Sequence, residues 1–393
     1  MFTSALFVVI SPFTSFIPII YMIYKTITNK DVIPMNPWNR GLLVLFIWSL
    51  IVGIINRNII STLLSVAFLL YFFLSVFIEN YYDSEYKIEE LFKLILKISF
   101  FSALIGIAEK IAFSYWSNPF WAKILSCHPW PDKNHRIYST FGNPNVAGAW
   151  FCCMILVCIY FINKNQKNKL FYYIALTLFI IAFFLTGSRG AAFGLFAGIF
   201  IYFFLSKNKE TFSFLLLSSL IIVAMVYAPL YLPSLKFIVG HEIDNSINSR
   251  QAIWDGCYRM FQLKPITGWG LLGIYKNGIY YINYYKREVH GHNIWITLAT
   301  TLGIVGLTVY IYMKLYIFEG IRILYNDNCR LVPLLAAIQA SIIVHGIVDF
   351  TIMAPQMGIM FIISSSMIAS LSMQYNDSTV KNPIPVPSYN SLL

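Results

Sequence analysis

The sequence predicts an all-α polytopic membrane protein of eleven to twelve transmembrane helices, with one large, partly helical external loop. Three observations carry this. The 393 residues are 58% hydrophobic and only 11% charged, against about 25% charged in a soluble domain. Eleven stretches are apolar enough and close enough to about 20 residues to cross a bilayer. Residues 231–292, between two such stretches, hold Arg250, Arg259, Lys264, Lys276, Lys286, Arg287, His290 and His292, too many charges for lipid. A loop that long without a task is uncommon.

Taken in order, spans are predicted near 4–24, 41–55, 59–78, 91–113, 145–162, 170–187, 190–205, 211–230, 293–318, 331–349 and 354–373. The first carries no basic leader and no small-residue cleavage site, so it reads as a retained span. Pro12 and Pro18 predict a kink within it. Residues 1–230 thus hold spans one to eight with an external loop at 114–144. Residues 231–292 form the large external loop, 293–373 hold spans nine to eleven, and 374–393 form a disordered cytoplasmic tail rich in proline.

Loop charge sets the expected orientation. The alternate set 25–40, 79–97, 163–169, 206–210, 319–330 and the tail holds fourteen Lys and Arg. Of the short opposite loops, 56–58 holds Arg57, 187–189 holds Arg189, and 350–353 holds none. The rich side is expected to be cytoplasmic, with the N-terminus outside. Loops 114–144 and 231–292 and the turn at 187–189 then share the outer face. This placement explains the net charge of +11 without nucleic acid. Cys152, Cys153 and Cys158 lie inside one span as small apolar residues. Cys127 and Cys257 fall in the outer loops and can pair if that side is oxidising.

Loop 114–144 brings Trp116, Trp121, Trp130, His128 and His135, tryptophans being expected at a membrane interface. It ends in Ser139-Thr-Phe-Gly-Asn-Pro-Asn145, where Asn143-Pro144 signals a turn and Asn145 is expected to cap the next helix. Arg189 sits in Thr186-Gly-Ser-Arg-Gly190 between two spans, and an arginine there is costly unless it faces a partner or polar cavity. Residues 245–261 predict an amphipathic helix capped by Ser246 or Asn248. Arg250, Trp254, Cys257 and Phe261 share one face, and Asp255 and Arg259 another. His290-Gly-His292-Asn293 closes the loop with the side chain suited to general-base work near neutral pH. Zinc on His290 and His292 is the competing reading, for which the sequence shows no clear third ligand. His345-Gly-Ile-Val-Asp349 ends a later span, with Asp349 placed to orient a histidine or pair with an arginine.

Together and in this order, these segments resemble the bacterial O-antigen ligase and O-antigen polymerase superfamily. The pieces are Ser139–Asn145, Thr186–Gly190, Ser249-Arg-Gln-Ala-Ile-Trp254 with Pro265-Ile-Thr-Gly-Trp-Gly270, and His290–Asn293 with Gly303-Ile-Val-Gly306. His345–Asp349 is similar to the family's late motif. The resemblance covers about 139 to 350 and implies a C-type glycosyltransferase-like fold. It implies transfer of a glycan from a polyprenyl-pyrophosphate carrier to an acceptor hydroxyl, at the outer face of the inner membrane, without cofactor or metal. The acceptor is then lipid A core (ligase) or a growing glycan chain (polymerase). The family's two arginines fall on Arg189 and Arg250. Its histidine falls on the His290/His292 pair, His292 being favoured because it precedes Asn293. Asn293, Asp349, Trp254 and Arg259 are the further residues expected around the substrate. Family members often have twelve spans with the N-terminus inside, which differs from the count above. From another class, a glycolipid transporter or flippase should carry charged or broken helices near the midplane, whereas the suspect polar groups here gather at one face.

Overall fold

The structure, a computed structural model, describes residues 2–113, 136–164, 169–206, 243–283 and 285–381, with 213–214, 216–217 and 219–220. Among these the chain is helical with no strand. It forms α1 (Phe2–Ile10), α2 (Ile17–Thr28), α3 (Pro37–Ile55), α4 (Ile59–Leu64), α5 (Val66–Tyr81), α6 (Glu85–Phe113) and α7 (Pro144–Asn163). These are followed by α8 (Lys169–Thr186), α9 (Arg189–Ser206), α10 (Ile243–Leu263), α11 (Gly273–Asn277), α12 (Ile294–Asn326), α13 (Val332–His345) and α14 (Pro355–Lys381). Among the described residues, eight helical segments are long and apolar enough to cross a membrane, while α2 and α13 are shorter apolar helices.

The predicted spans find their helices with local differences. The first is broken over residues 11–16, between α1 and α2, and Pro18 starts α2, as a proline without a donor N–H requires. The third is interrupted at Ser65 and runs as α4 and α5. The span at 211–230 falls mostly outside the described residues, as do Cys127, Trp116, Trp121, Trp130, His128, His135 and residues 382–393. The last helix continues to Lys381, past the predicted end at 373.

Helices α7 and α14 are the centre of the bundle, buried along almost their whole spans. Small residues let neighbours approach closely, as membrane helices require in place of a hydrophobic drive. Gly194 and Gly198 of α9 lie against the Ser341 and Ala337 carbonyls of α13, and Gly190 against the His345 ring. Gly148 of α7 rests on Ser188 and Ala191.

The turns at 56–58, 139–143, 187–188 and 346–354 and the long loop after α10 meet at one end of the bundle. The links are Lys264 to Asn56, Arg136 to the Thr186 carbonyl, and Asn293 to the Ile347 carbonyl. At the other end Asn36 and Asn39 donate to Glu79, and Tyr375 donates to Glu85.

Helix α12 is not continuous. Gly303 has φ 66° and ψ −169°, which breaks the ladder one third of the way along. The carbonyls this exposes are taken by the loop after α10 and by a side chain of α3. The Trp269 and Gly270 amides donate to the Thr300 and Thr301 carbonyls (3.0 and 2.8 Å), and the Trp48 indole donates to Leu302 (2.8 Å). In return Ile304 N–H donates to the Pro265 carbonyl at 2.8 Å. Gly268 and Gly303 have positive φ, and a Cβ on either would collide with the facing backbone. Their recurrence in the two matching motifs thus has one cause: backbone meets backbone here. We expect Gly303→Ala to lower the thermal midpoint of the detergent-purified protein by several degrees, since forcing a side chain into that conformation costs on the order of 1–3 kcal/mol. A Val305→Ala control should shift it far less.

Candidate functional site

The site builds up at the end where the loops meet. The approach to α7 is an irregular segment held from three sides. Glu109 of α6 accepts the Ser139 amide (2.7 Å), Ser102 and Ser139 share a hydrogen bond (2.9 Å), and Thr140 donates to the Val9 carbonyl (2.6 Å). Asn143, not Asn145, caps α7, because Pro144 occupies the first helical position and shifts the start. This corrects the expected cap and leaves the Asn145 side chain to a different task. Its carbonyl accepts from Arg136 (2.6 Å), and its amide donates to Asp349 Oδ2 (2.5 Å).

Asp349 is the junction. It is 4% exposed. Its Oδ1 faces His292 Nδ1 (3.1 Å) and accepts the Phe350 amide (2.8 Å). Burial alone would raise this carboxyl, but the His292 hydrogen bond and the surrounding imidazoles hold it well below the usual range. His292 also meets Glu288 Oε2 through Nε2 at 3.3 Å. Burial would depress the ring, yet Asp349 and Glu288 raise it to about 9. His290 behaves oppositely. Burial, reinforced by the charge of His292, lowers it to about 4. Its Nδ1 accepts the His292 amide (3.1 Å), and its ring packs edge-on against His292 at 4.4 Å. His292 has φ 46°, in the left-handed region that histidine enters more readily than most non-glycine residues.

The arginines lie close by. The glycines of the Thr186–Gly190 turn are structural: Gly187 takes φ 60°, and Gly190 packs on His345. Ser188 is buried. Arg189 is the half-buried charge at the head of α9. Helix α10 starts at Ile243, so Ser246 and Asn248 lie inside it rather than at its cap. Cys257 is buried, and Arg250, Trp254 and Phe261 are half-buried, while Asp255 and Arg259 are exposed. The expected division of faces therefore holds, and Arg259 points to solvent. Cys257, Ile253, Met260, Ile274 and Ile282 form a small separate core for the loop. Arg136, which the sequence reading did not single out, completes the basic group. Burial pulls it down to about 10, and the charges of Arg189 and Arg250 push the same way. The three guanidiniums are thus within electrostatic reach of one another, and Arg136 is also within reach of Asp349.

Of the other residues expected around substrate, Asn293 is engaged in structure. Its side chain accepts the Trp295 and Ile296 amides and donates to Ile347 (2.8 Å). The Trp254 indole N–H is buried with no hydrogen-bond partner. Trp269 holds Lys264 4.0 Å over its ring, and Tyr280 is exposed. Tyr284 lies outside the described residues. Glu288 was also missed, being one acidic residue among the charges of the loop. The ligand-type atoms of His290, His292 and Asp349 fall within 4.8 Å of one another, so Asp349 supplies the third donor the sequence lacked. As arranged, however, His292 Nδ1 and Asp349 Oδ1 face each other, and His290 Nδ1 accepts an amide. The trio is a hydrogen-bonded array.

One end of a helical membrane bundle thus gathers arginines and a carboxylate-held imidazole. Residues 174–311 match the family model described as O-antigen ligase. That stretch carries the family's domain, and the match implies a glycosyltransferase of ligase or polymerase type. The matched stretch contains Arg189, Arg250, Glu288, His290 and His292. No curated protein gives a significant match.

Linkage gives a test of the array. His292 is raised in the folded protein, so the stability it contributes is complete below its ordinary value of 6.5 and is lost as pH rises through about 9. The thermal midpoint should fall by several degrees between these limits. In His292→Gln that decline should flatten.

Proposed function

We propose that the chain transfers a glycan from a polyprenyl-diphosphate carrier to an acceptor hydroxyl at the outer face of the bacterial inner membrane, in a single inverting displacement without metal. The observation that carries this is the Asp349–His292–Glu288 line beside an arginine group, joined by Arg136, which senses Asp349 on one side and Arg189 and Arg250 on the other. A diphosphate leaving group gains charge as the anomeric bond breaks. Guanidinium forks stay charged and match phosphate oxygens in pairs. Arg189 and Arg250 grip the diphosphate and stabilise it as it departs, while Arg136 adds positive field from behind Asn145. Opposite them, the carboxylate–imidazole line accepts the proton of the attacking hydroxyl. The oxygen bonds to the anomeric carbon, the carbon–phosphate-oxygen bond breaks, and its electron pair leaves on the diphosphate.

The same domain serves ligases and polymerases, and the acceptor decides between them. In a deletion strain, surface glycan reduced to single repeats marks a polymerase, whereas full chains left on the carrier mark a ligase. Arg189→Ala and His292→Ala should each reduce transfer by at least 100-fold, the lower end of general-base help being about 10²-fold, with membrane levels of protein unchanged. Product with retained anomeric configuration would rule out the single displacement. Transfer should persist in EDTA; chelator-dependent loss restored by a divalent ion would assign His290, His292 and Asp349 to a metal instead.

A further inference from the structure

We infer that Glu288 is the catalytic base that takes the acceptor hydroxyl's proton, with His292 as the positioning residue that holds it. This rests on the transferase reading above and goes beyond it by naming the group that touches the nucleophile.

The argument is one of access. Both ring nitrogens of His292 are occupied, Nδ1 by Asp349 at 3.1 Å and Nε2 by Glu288 at 3.3 Å. A hydroxyl reaches neither without displacing a carboxylate. Asp349 cannot serve, because it is buried and both its oxygens are spent on His292, Phe350 and Asn145. The Glu288 and His292 side chains are equally open, at 26% and 25% exposed, so what separates them is which atoms are already bonded. Glu288 Oε2 is held by His292, and among the described residues its Oε1 has no hydrogen bond. It is therefore the member of the line that presents a lone pair to an incoming hydroxyl.

The local backbone is built for this. Arg287 and His292 both take left-handed φ values (59° and 46°), so the chain turns sharply just before Glu288 and again four residues later. The two side chains then meet without a helix between them. The Tyr285 hydroxyl lies 2.5 Å from the Tyr275 carbonyl and 3.4 Å from that of Glu288, pinning the backbone.

The charges agree. Glu288 faces His292, His290 and Lys286. The hydrogen bond from His292 outweighs burial and holds its carboxyl below the usual value, so it is ionised at neutral pH. An imidazolium between two carboxylates is the expected resting state, and an imidazolium is not a base. In the step, the hydroxyl proton passes to Glu288 Oε1, the oxygen bonds to the anomeric carbon, and the diphosphate leaves with its electron pair. Nothing else is consumed.

The test uses the full-length protein reconstituted with membranes of a strain lacking it, which hold undischarged polyprenyl-diphosphate glycan and the natural acceptor. Glu288→Gln should lose about 100-fold or more in kcat/KM with donor affinity unchanged, and Glu288→Asp should recover part of it. The wild-type rate should fall as pH rises through about 9, where His292 loses the charge that holds Glu288, whereas a neutral His292 base would make it climb. Glu288→Gln active at wild-type level, or active with an acid-shifted pH profile, would overturn the assignment and return the base role to His292. If Arg189→Ala and His292→Ala are also fully active, the transferase reading itself has failed. If those two are dead while Glu288→Gln works, only this inference has.

Discussion

The break in α12 at Gly303 is the constraint on which the site depends. Buried carbonyls freed from a helix ladder need other donors. Here they are satisfied by the amides of Trp269 and Gly270, which belong to the loop following α10, and by the Trp48 indole. Loop and bundle therefore cannot separate without leaving backbone carbonyls unpaired. That dependence fixes where α10 ends, and so where Arg250 stands relative to Arg189. It also ties down the start of the path to Glu288 and His292. Lys264, bonded to Asn56 and stacked on Trp269, fastens the same corner from the other side.

Electrostatics then shapes what the end of the bundle will accept. Three arginines sharing one region repel each other, and burial raises the cost. Asp349 offsets part of this, but its oxygens are committed to Asn145, His292 and its own neighbour. In the proposed reaction, the diphosphate of the substrate would relieve the remainder. The site is thus strained in charge before binding and more nearly balanced after it. Such an arrangement favours a ligand with several negative oxygens over a neutral lipid.

The spans were legible because lipid imposes length and hydropathy on every helix that crosses it. Arg189 and Arg250 stood out as cations placed where a membrane chain avoids them, and His290 and His292 as paired imidazoles at a span's mouth. The surrounding geometry was less visible. Pro144 moved the α7 cap to Asn143 and so released Asn145 to bridge Arg136 and Asp349. That exchange follows from helix-start chemistry, although the choice between two asparagines is easy to misread. The start of α10 at Ile243 precedes any capping signal that pointed to it. Glu288 offered no pattern at all, since its meeting with His292 is made by left-handed turns at Arg287 and His292, where no glycine marks the bend. Asn293 read as a substrate contact because of its place beside His292, yet its amide serves the helix it begins.

The way Asp349 joins distant parts of the chain has a corollary for how the protein is organised. Arg189, Arg250, Glu288 and His292 all fall within residues 174–311, the segment bearing the family signature. The carboxylate that seats His292 comes from after α13, and the asparagine and third guanidinium that steady it come from before and within the first turn of α7. A fragment limited to the signature would keep the reactive side chains and lose what aligns them. The functional unit is therefore the assembled bundle, with the segments on either side of the signature acting as the jig for residues carried in between.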